Sequence, residues 1–316
     1  MNRLTTRLAL FCFQPSAPTN LGVSRILFYG IVLYYYGFAY SRADFAAWAA
    51  FPDAFWDPIW YFRWLHLPVL SAGVLTVLTL VWKASLAFSA LGLLTRASSA
   101  VSFVLGAYLL GLIQCFGKTH HFDFPALVVL GILALSRCGD ALSLDRALRV
   151  RAESAGGPAP VELSPSGEYT WPIRLVWVLT ALVFFGAGVS KLRRSGLPSI
   201  FSENMRYVLL SHHYSHRPPT SWGLYVAQIG WAPKVLGLLT ILFEAGAPLA
   251  LLGRTLRWIF IPGLLMMQIG IHLLTGAFEA YWYLYVFWVP WDRLASFFRA
   301  RLPEGARRHA ERPVSL

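Results

Sequence analysis

Charge is what this chain has least of. Asp, Glu, Lys and Arg together make up 13% of its 316 residues, whereas apolar residues make up 57%. That balance excludes an ordinary soluble domain, because several apolar stretches reach the roughly 20 residues needed to cross a bilayer. Acids are scarcer than bases, 15 against 27, which leaves a net charge of +12. In a soluble protein such a surplus points to nucleic acid. Here the arginines gather in loops and in the C-terminal tail, where membrane orientation accounts for them, so no nucleic-acid partner is expected. Cysteine is scarce as well: three scattered residues imply neither a disulfide framework nor a metal site. The sequence lacks an internal repeat, and it lacks the inverted repeats and paired broken helices of many transporters. Its N-terminus lacks the short apolar core and small-residue cleavage site of a secretory signal, so insertion through the first span is expected.

What is present is aromatic and helical. Aromatic residues make up 16%, including 13 Trp, more than interfacial belts in a small bundle require. The surplus fits broad lipid contact or a flat ring-binding cavity. Apolar runs predict spans near 21–40, 69–94, 97–116, 124–136, 171–191, 233–253, 256–276 and 278–298. The expected fold is therefore all-α, a polytopic transmembrane helical bundle of about eight spans. Between the first two spans the stretch Arg42 to Leu67, with FPDAFWDPIWYFRWLHLP, predicts short interfacial helices. The polar segment Arg149 to Thr170, rich in Gly, Pro and Ser, reads as a linker. It would join two four-span halves, 1–148 and 171–298, of one integral membrane domain ending in a basic tail, 299–316.

Eight crossings put both termini on one side. With the termini in the cytoplasm, inner segments carry fifteen Arg and outer segments carry nine Lys and Arg, which favours that orientation. The expectation is an integral membrane protein with both termini cytoplasmic. Lys191, His120, His121 and His272 then converge toward the outer leaflet, and titratable groups meeting inside a membrane point to function.

Lys191 ends the uncharged run LVWVLTALVFFGAGV. A lysine there either reaches for water or gives up its proton, and the second outcome makes it a base. A lysine in water titrates near 10.4, and burial disfavours the ammonium, so a dry amine can serve as a general base. The alternative is an interfacial anchor beside Arg193 and Arg194. Glu244, in LLTILFEAGAPLALL, is a carboxylate deep in a span that needs a partner; it could neutralise Arg25, tune Lys191 or serve as a helix-to-helix contact. Arg25, near the inner end of the first span, reads as structural. His212 and His216 stand at i and i+4, a spacing that can hold a metal, although no carboxylate or cysteine nearby completes a shell and a hydrated loop is the simpler reading. Asp140 and Asp145 read as helix caps that pair with Arg146 or Arg149.

Four strings, GVSRILFYG, GKTHHFDFPALVVLGILALSRCGDALSLDR, WPIRLVWVLTALVFFGAGVSKLR and GIHLLTGAF, resemble the HTTM family. That family is the membrane module shared by vitamin K-dependent gamma-carboxylases and their bacterial relatives, and the resemblance covers roughly residues 10–298. It implies that Lys191 takes a proton from reduced vitamin K or menaquinol, that His121, or its neighbour His120, assists, and that His272 belongs to the same site. Ile271 stands where the family has phenylalanine. The implied co-substrates are oxygen and carbon dioxide, and the expected partners are membrane lipid, a lipid-soluble quinone and a secreted peptide or small partner protein. A short basic tail stands where eukaryotic carboxylases carry a large lumenal portion, so the resemblance speaks to quinol chemistry more than to peptide recognition. Two functions follow as expectations. One is a carboxylase-like membrane enzyme with catalytic Lys191, His121 and His120 and quinol-binding His272, Glu244 and Arg25. The other is a non-catalytic maturation, export or immunity partner that binds lipid or peptide.

Overall fold

In a computed structural model of the chain, the apolar runs form helices and, among the described residues, no strand forms. The structure describes residues 3–39, 43–117, 123–154, 163–196, 198–216, 218–277 and 281–301. Six helical stretches are long and apolar enough to cross a membrane: Pro18–Ala39, Ala72–Leu91, Thr95–Gln114, Gly167–Ser195, Ala232–Leu251 and Arg254–Thr275. The all-α expectation therefore holds, with differences in span count. The expected fourth span is the helix Asp123–Leu135, whose 13 residues fall short of the roughly 20 that a bilayer core requires. The expected eighth span is not continuous. It breaks into Trp282–Tyr285, a 3-10 turn Val286–Trp288 and, after Pro290, the helix Trp291–Ala300. Pro290 lacks the N–H and disfavours helical geometry at Val289 before it, which separates the 3-10 turn from the last helix.

The chain divides into two compact units, one of residues 1–175 and 286–316 and the other of residues 176–285. The boundaries differ from the halves read from sequence, and the polar linker falls inside the first unit. That unit contains α1 (Arg3–Phe13), α2 (Pro18–Tyr34) with its π-helical extension Tyr35–Ala39, α3 (Trp60–Trp64), α4 (Ala72–Leu91), α5 (Thr95–Gln114), α6 (Asp123–Leu135), α7 (Leu144–Ser154) and the start of α8 (Trp171–Ser195). The second holds the rest of α8, α9 (Pro198–Phe201), α10 (Asn204–His216), α11 (Trp222–Gln228), α12 (Ala232–Gly246), α13 (Arg254–Thr275) and α14 (Trp282–Tyr285). Helix α15 (Trp291–Ala300) returns to the first.

In the first unit α4 packs between α2 and α5, and α6 packs on α5. Phe28, Trp82, Leu86, Leu109 and Leu130 form the buried interior. Serines hold α4 against α5: Ser85 bonds Ser102 at 2.8 Å and Ser89 donates to Ser98 at 3.0 Å, the small polar contacts that let helices approach where no water competes. The stretch between α2 and α4 is indeed made of short helical pieces, and its rings cluster on Phe116, with Trp48, Phe51 and Trp56 all 5.1–5.6 Å from it. Much of the aromatic surplus is thus packed against other rings. In the second unit α13 packs on α10, α11, α12 and the turn Ala247–Leu251. Phe260 and Leu264 face inward, whereas Leu238, Leu242, Ile259 and Met266 are left uncovered by the chain, as helices in lipid require.

Candidate functional site

A close helix crossing in the second unit creates the strongest constellation of titratable groups. A Cβ placed on Gly188 of α8 would lie 2.6 Å from the amide nitrogen of Ala245 and 3.0 Å from the Cβ of Glu244 on α12. Only glycine lets the two backbones meet there. Lys191 stands three residues further along α8, on the same face. Its Nζ donates to Glu244 Oε1 at 2.5 Å and Oε2 at 2.6 Å, using both oxygens of the carboxylate. The Glu244 side chain is 5% exposed and that of Lys191 49%. The expected buried lysine is therefore corrected: the carboxylate is the buried member, and half of the lysine surface is left for lipid, water or a ligand. Physically the pairing answers the cost of a carboxylate in a span, which is prohibitive unless a cation or a proton compensates it. Of the alternatives open for Glu244, the contact with Lys191 is the one observed.

Two turns before Lys191, Phe184 of α8 lies edge-on to Tyr281 at 5.8 Å and tilted against Tyr285 at 6.4 Å. A seven-residue step along a helix returns to nearly the same face about 10 Å away. These rings are buried packing on the same side of α8, with Phe184 and Tyr281 2% and 3% exposed. Among the described residues both polar contacts of Lys191 are to Glu244, so His272, partly buried on α13, is not hydrogen-bonded to it. His120 and His121 lie outside the described residues. His212 uses Nδ1 on the Val208 carbonyl at 2.9 Å. No group of three His, Cys, Asp or Glu among the described residues could hold a metal ion.

Arg25 belongs to the first unit, where its contacts are to backbone carbonyls. It is fully buried. Its guanidinium donates to the carbonyls of Leu142 at 2.6 Å, Cys138 at 3.4 Å and Ala90 at 3.5 Å. Ala90 lies in the last turn of α4, whose last carbonyls have no partner within the helix, and a cation there also complements the helix dipole. The clamp fixes a crowded turn. Gly92 has φ +71° and a Cβ there would lie 2.5 Å from the guanidinium, while Leu94 and Leu142 also adopt positive φ.

Asp145 completes this turn, accepting the Leu94 and Thr95 amides at 2.8 and 2.7 Å and the Thr95 hydroxyl at 2.7 Å. It caps α5, not its own helix. Burial pushes its carboxyl up, but these hydrogen bonds and the nearby Arg149 outweigh burial and hold it below the usual carboxylate range. Asp140 pairs with Arg137 at 2.9 Å, in place of the expected Arg146 or Arg149, and accepts the Tyr169 hydroxyl at 3.0 Å.

A further polar group went unnoticed in the sequence. Asp123 opens α6, is 3% exposed, and accepts the Tyr36 hydroxyl at 2.6 Å and the Gln114 amide at 2.7 Å. The signal was available: an acid directly before the apolar run FPALVVLGILAL, at the helix start where the dipole favours negative charge. The chain matches no family model, no curated protein and no solved structure.

Proposed function

We propose that the protein is an integral membrane enzyme in which Lys191 and Glu244 act together as a proton-accepting pair toward a lipid-soluble quinol, in the manner of the carboxylase-like family that its sequence resembles. The bidentate Lys191–Glu244 contact carries this reading. An amine and a carboxylate in direct contact share one proton between two basic sites. With that proton on Glu244, Nζ is a neutral amine able to accept another from a ligand hydroxyl. The half of Lys191 not covered by the chain gives a ligand access. Reduced vitamin K or menaquinol, when bound, would supply the acidic hydroxyl and, with molecular oxygen as oxidant, the strong base that a carbon acid requires.

Lys191 holds the proton removed from the hydroxyl at Nζ, and the ligand oxyanion left behind balances the resulting ammonium while Glu244 keeps the shared proton. In this reading surrounding lipid and the bound ligand cover the open half of Lys191 and limit access of water, which would otherwise quench a strong base. Carbon dioxide would add to the deprotonated carbon of the substrate, with a small molecule, a lipid or a secreted peptide as the carbon acid. His121 or His120, and His272, are the further residues that the family resemblance implies for this chemistry. The orientation proposed is that of a bacterial inner-membrane protein with both termini cytoplasmic and Lys191 toward the outer leaflet.

The test is oxygen-dependent oxidation of reduced menaquinone by the purified protein in lipid nanodiscs. Turnover that disappears in Lys191→Ala, with helical content unchanged, supports the enzyme. Absence of turnover in the unaltered protein assigns it instead to the non-catalytic class of lipid- or peptide-binding partners.

A further inference from the structure

Lys83 presents a separate problem in the first unit. It lies within α4, eleven residues after Ala72, which is about 16 Å along the helix and so well inside an apolar layer of roughly 30 Å. A cation at such depth is costly unless a charge or polar groups compensate it. Among the described residues, however, its one polar partner is neutral: Nζ donates to the carbonyl of Gly37 at 3.3 Å. Gly37 sits in the π-helical extension Tyr35–Ala39, and a π turn displaces carbonyls from the regular ladder. Two of the three N–H donors of the ammonium remain for another acceptor.

Beside this group lies a cavity of about 350 Å³, open on one side. Its inner wall is the buried rings of Tyr36 and Phe45, and its rim includes Phe38 and Leu80, which are 81% and 61% exposed. In a bilayer these rim residues face acyl chains. The volume is at the small end for ligand sites, sufficient for a head group and the first few methylenes but not for a whole lipid. Asp44 also lines the cavity and lies beyond ion-pair distance of Lys83.

We propose that this cavity binds the anionic head of a membrane amphiphile, a carboxylate or phosphate oxygen accepting from Lys83 Nζ while the acyl chain leaves past Phe38 and Leu80 into the bilayer. The site is separate from the Lys191–Glu244 pair and does not depend on the quinol reading. It supplies a negative charge where, among the described residues, only a carbonyl dipole lies within bonding distance of Nζ.

The experiment is photolabelling of the full-length protein in phosphatidylcholine nanodiscs with three diazirine probes, a fatty acid, a phosphatidylglycerol and a fatty alcohol, followed by peptide mapping. Labelling of the peptides carrying Phe38 and Leu80 by either anionic probe is expected. Lys83→Gln should lower it about tenfold or more, the loss of one charge-assisted hydrogen bond, and Lys83→Arg should restore it. Whether the fatty acid or the phospholipid labels identifies the natural head group. Leu80→Trp keeps the ammonium but fills the opening from an exposed position, so it should block labelling in a folded protein. Asp44→Asn should raise labelling by the anionic probes, because it removes a like charge. Equal labelling by the fatty alcohol, no change in either Lys83→Gln or Leu80→Trp, or no labelling at these peptides by either anionic probe would overturn the proposal.

Discussion

Lys191 and Glu244, 53 positions apart in the chain, are joined by two hydrogen bonds of 2.5 and 2.6 Å. The carboxylate is the buried member and the ammonium the accessible one. Removing either therefore has unequal consequences. Lys191→Ala leaves a carboxylate in an apolar span without its ammonium and should cost about 2–4 kcal/mol, toward the lower end for a buried pair because Lys191 is half uncovered. Glu244→Gln leaves a cation that can turn outward and should cost less. Chemical unfolding in mixed micelles, with helicity as the readout, should rank Lys191→Ala as the more damaging; the reverse order would contradict the burial seen here.

Gly188 sets the distance between α8 and α12. Its replacement by alanine introduces a methyl group 2.6 Å from the Ala245 backbone nitrogen, where no side chain can move aside. The helices must separate, at a cost of about 1–3 kcal/mol or more. A drop in thermal stability is expected together with loss of whatever activity depends on the pair, whereas Gly186→Ala, with nothing within 4 Å of the added methyl, should leave both unchanged.

Asp145 makes the first unit sensitive to acid. Its carboxyl titrates below the usual range in the folded state, despite the upward push of burial, because two amides, a hydroxyl and Arg149 favour the charged form. Its stabilisation is thus fully present above the unfolded value of about 3.9 and is lost as pH falls through the lower folded value. Asp145→Asn should cost about 1 kcal/mol at neutral pH, the usual loss for a helix cap. Comparison of the two proteins from pH 7 downward should show the gap narrowing only below about pH 4. A gap constant down to the acid limit would mean the charge of Asp145 contributes nothing.

Arg25 should be irreplaceable by lysine. A single ammonium cannot span the carbonyls of Ala90, Cys138 and Leu142 that the forked guanidinium reaches. Cys138 reports on the clamp, since it is 2% exposed and burial pushes its thiol up, both of which slow alkylation. Arg25→Lys should accelerate maleimide labelling of Cys138 by about tenfold or more through local opening, in a background where Cys12 is replaced by serine. Unchanged labelling would show that the turn holds without the guanidinium.

Helix positions were readable because about 20 consecutive apolar residues leave few alternatives to a span. Lys191 and Glu244 stood out singly for the same reason, as charges in apolar company. Their contact did not, because it depends on a glycine crossing between segments far apart in sequence, and hydropathy carries no record of which faces meet. The last apolar run misled for a related reason: an averaged composition does not register the break between Tyr285 and Trp291 or the proline within it. Asp145 was legible as a cap, but the helix it caps begins 50 residues earlier. Asp123 was overshadowed by the histidines beside it, and its partners Tyr36 and Gln114 come from two other helices.

The central claim is that Lys191 works as a base and not only as a counter-ion, and Lys191→Arg separates these roles. Arginine can keep the pairing with Glu244 but does not deprotonate in proteins. Rates of oxygen-dependent oxidation of reduced menaquinone should be measured for the unaltered protein, Lys191→Arg and Lys191→Ala in the same nanodiscs. The account predicts turnover in the first, none above background in the other two, and near-normal stability for the arginine variant. Full turnover in Lys191→Arg would contradict it and leave the lysine as a structural partner of Glu244.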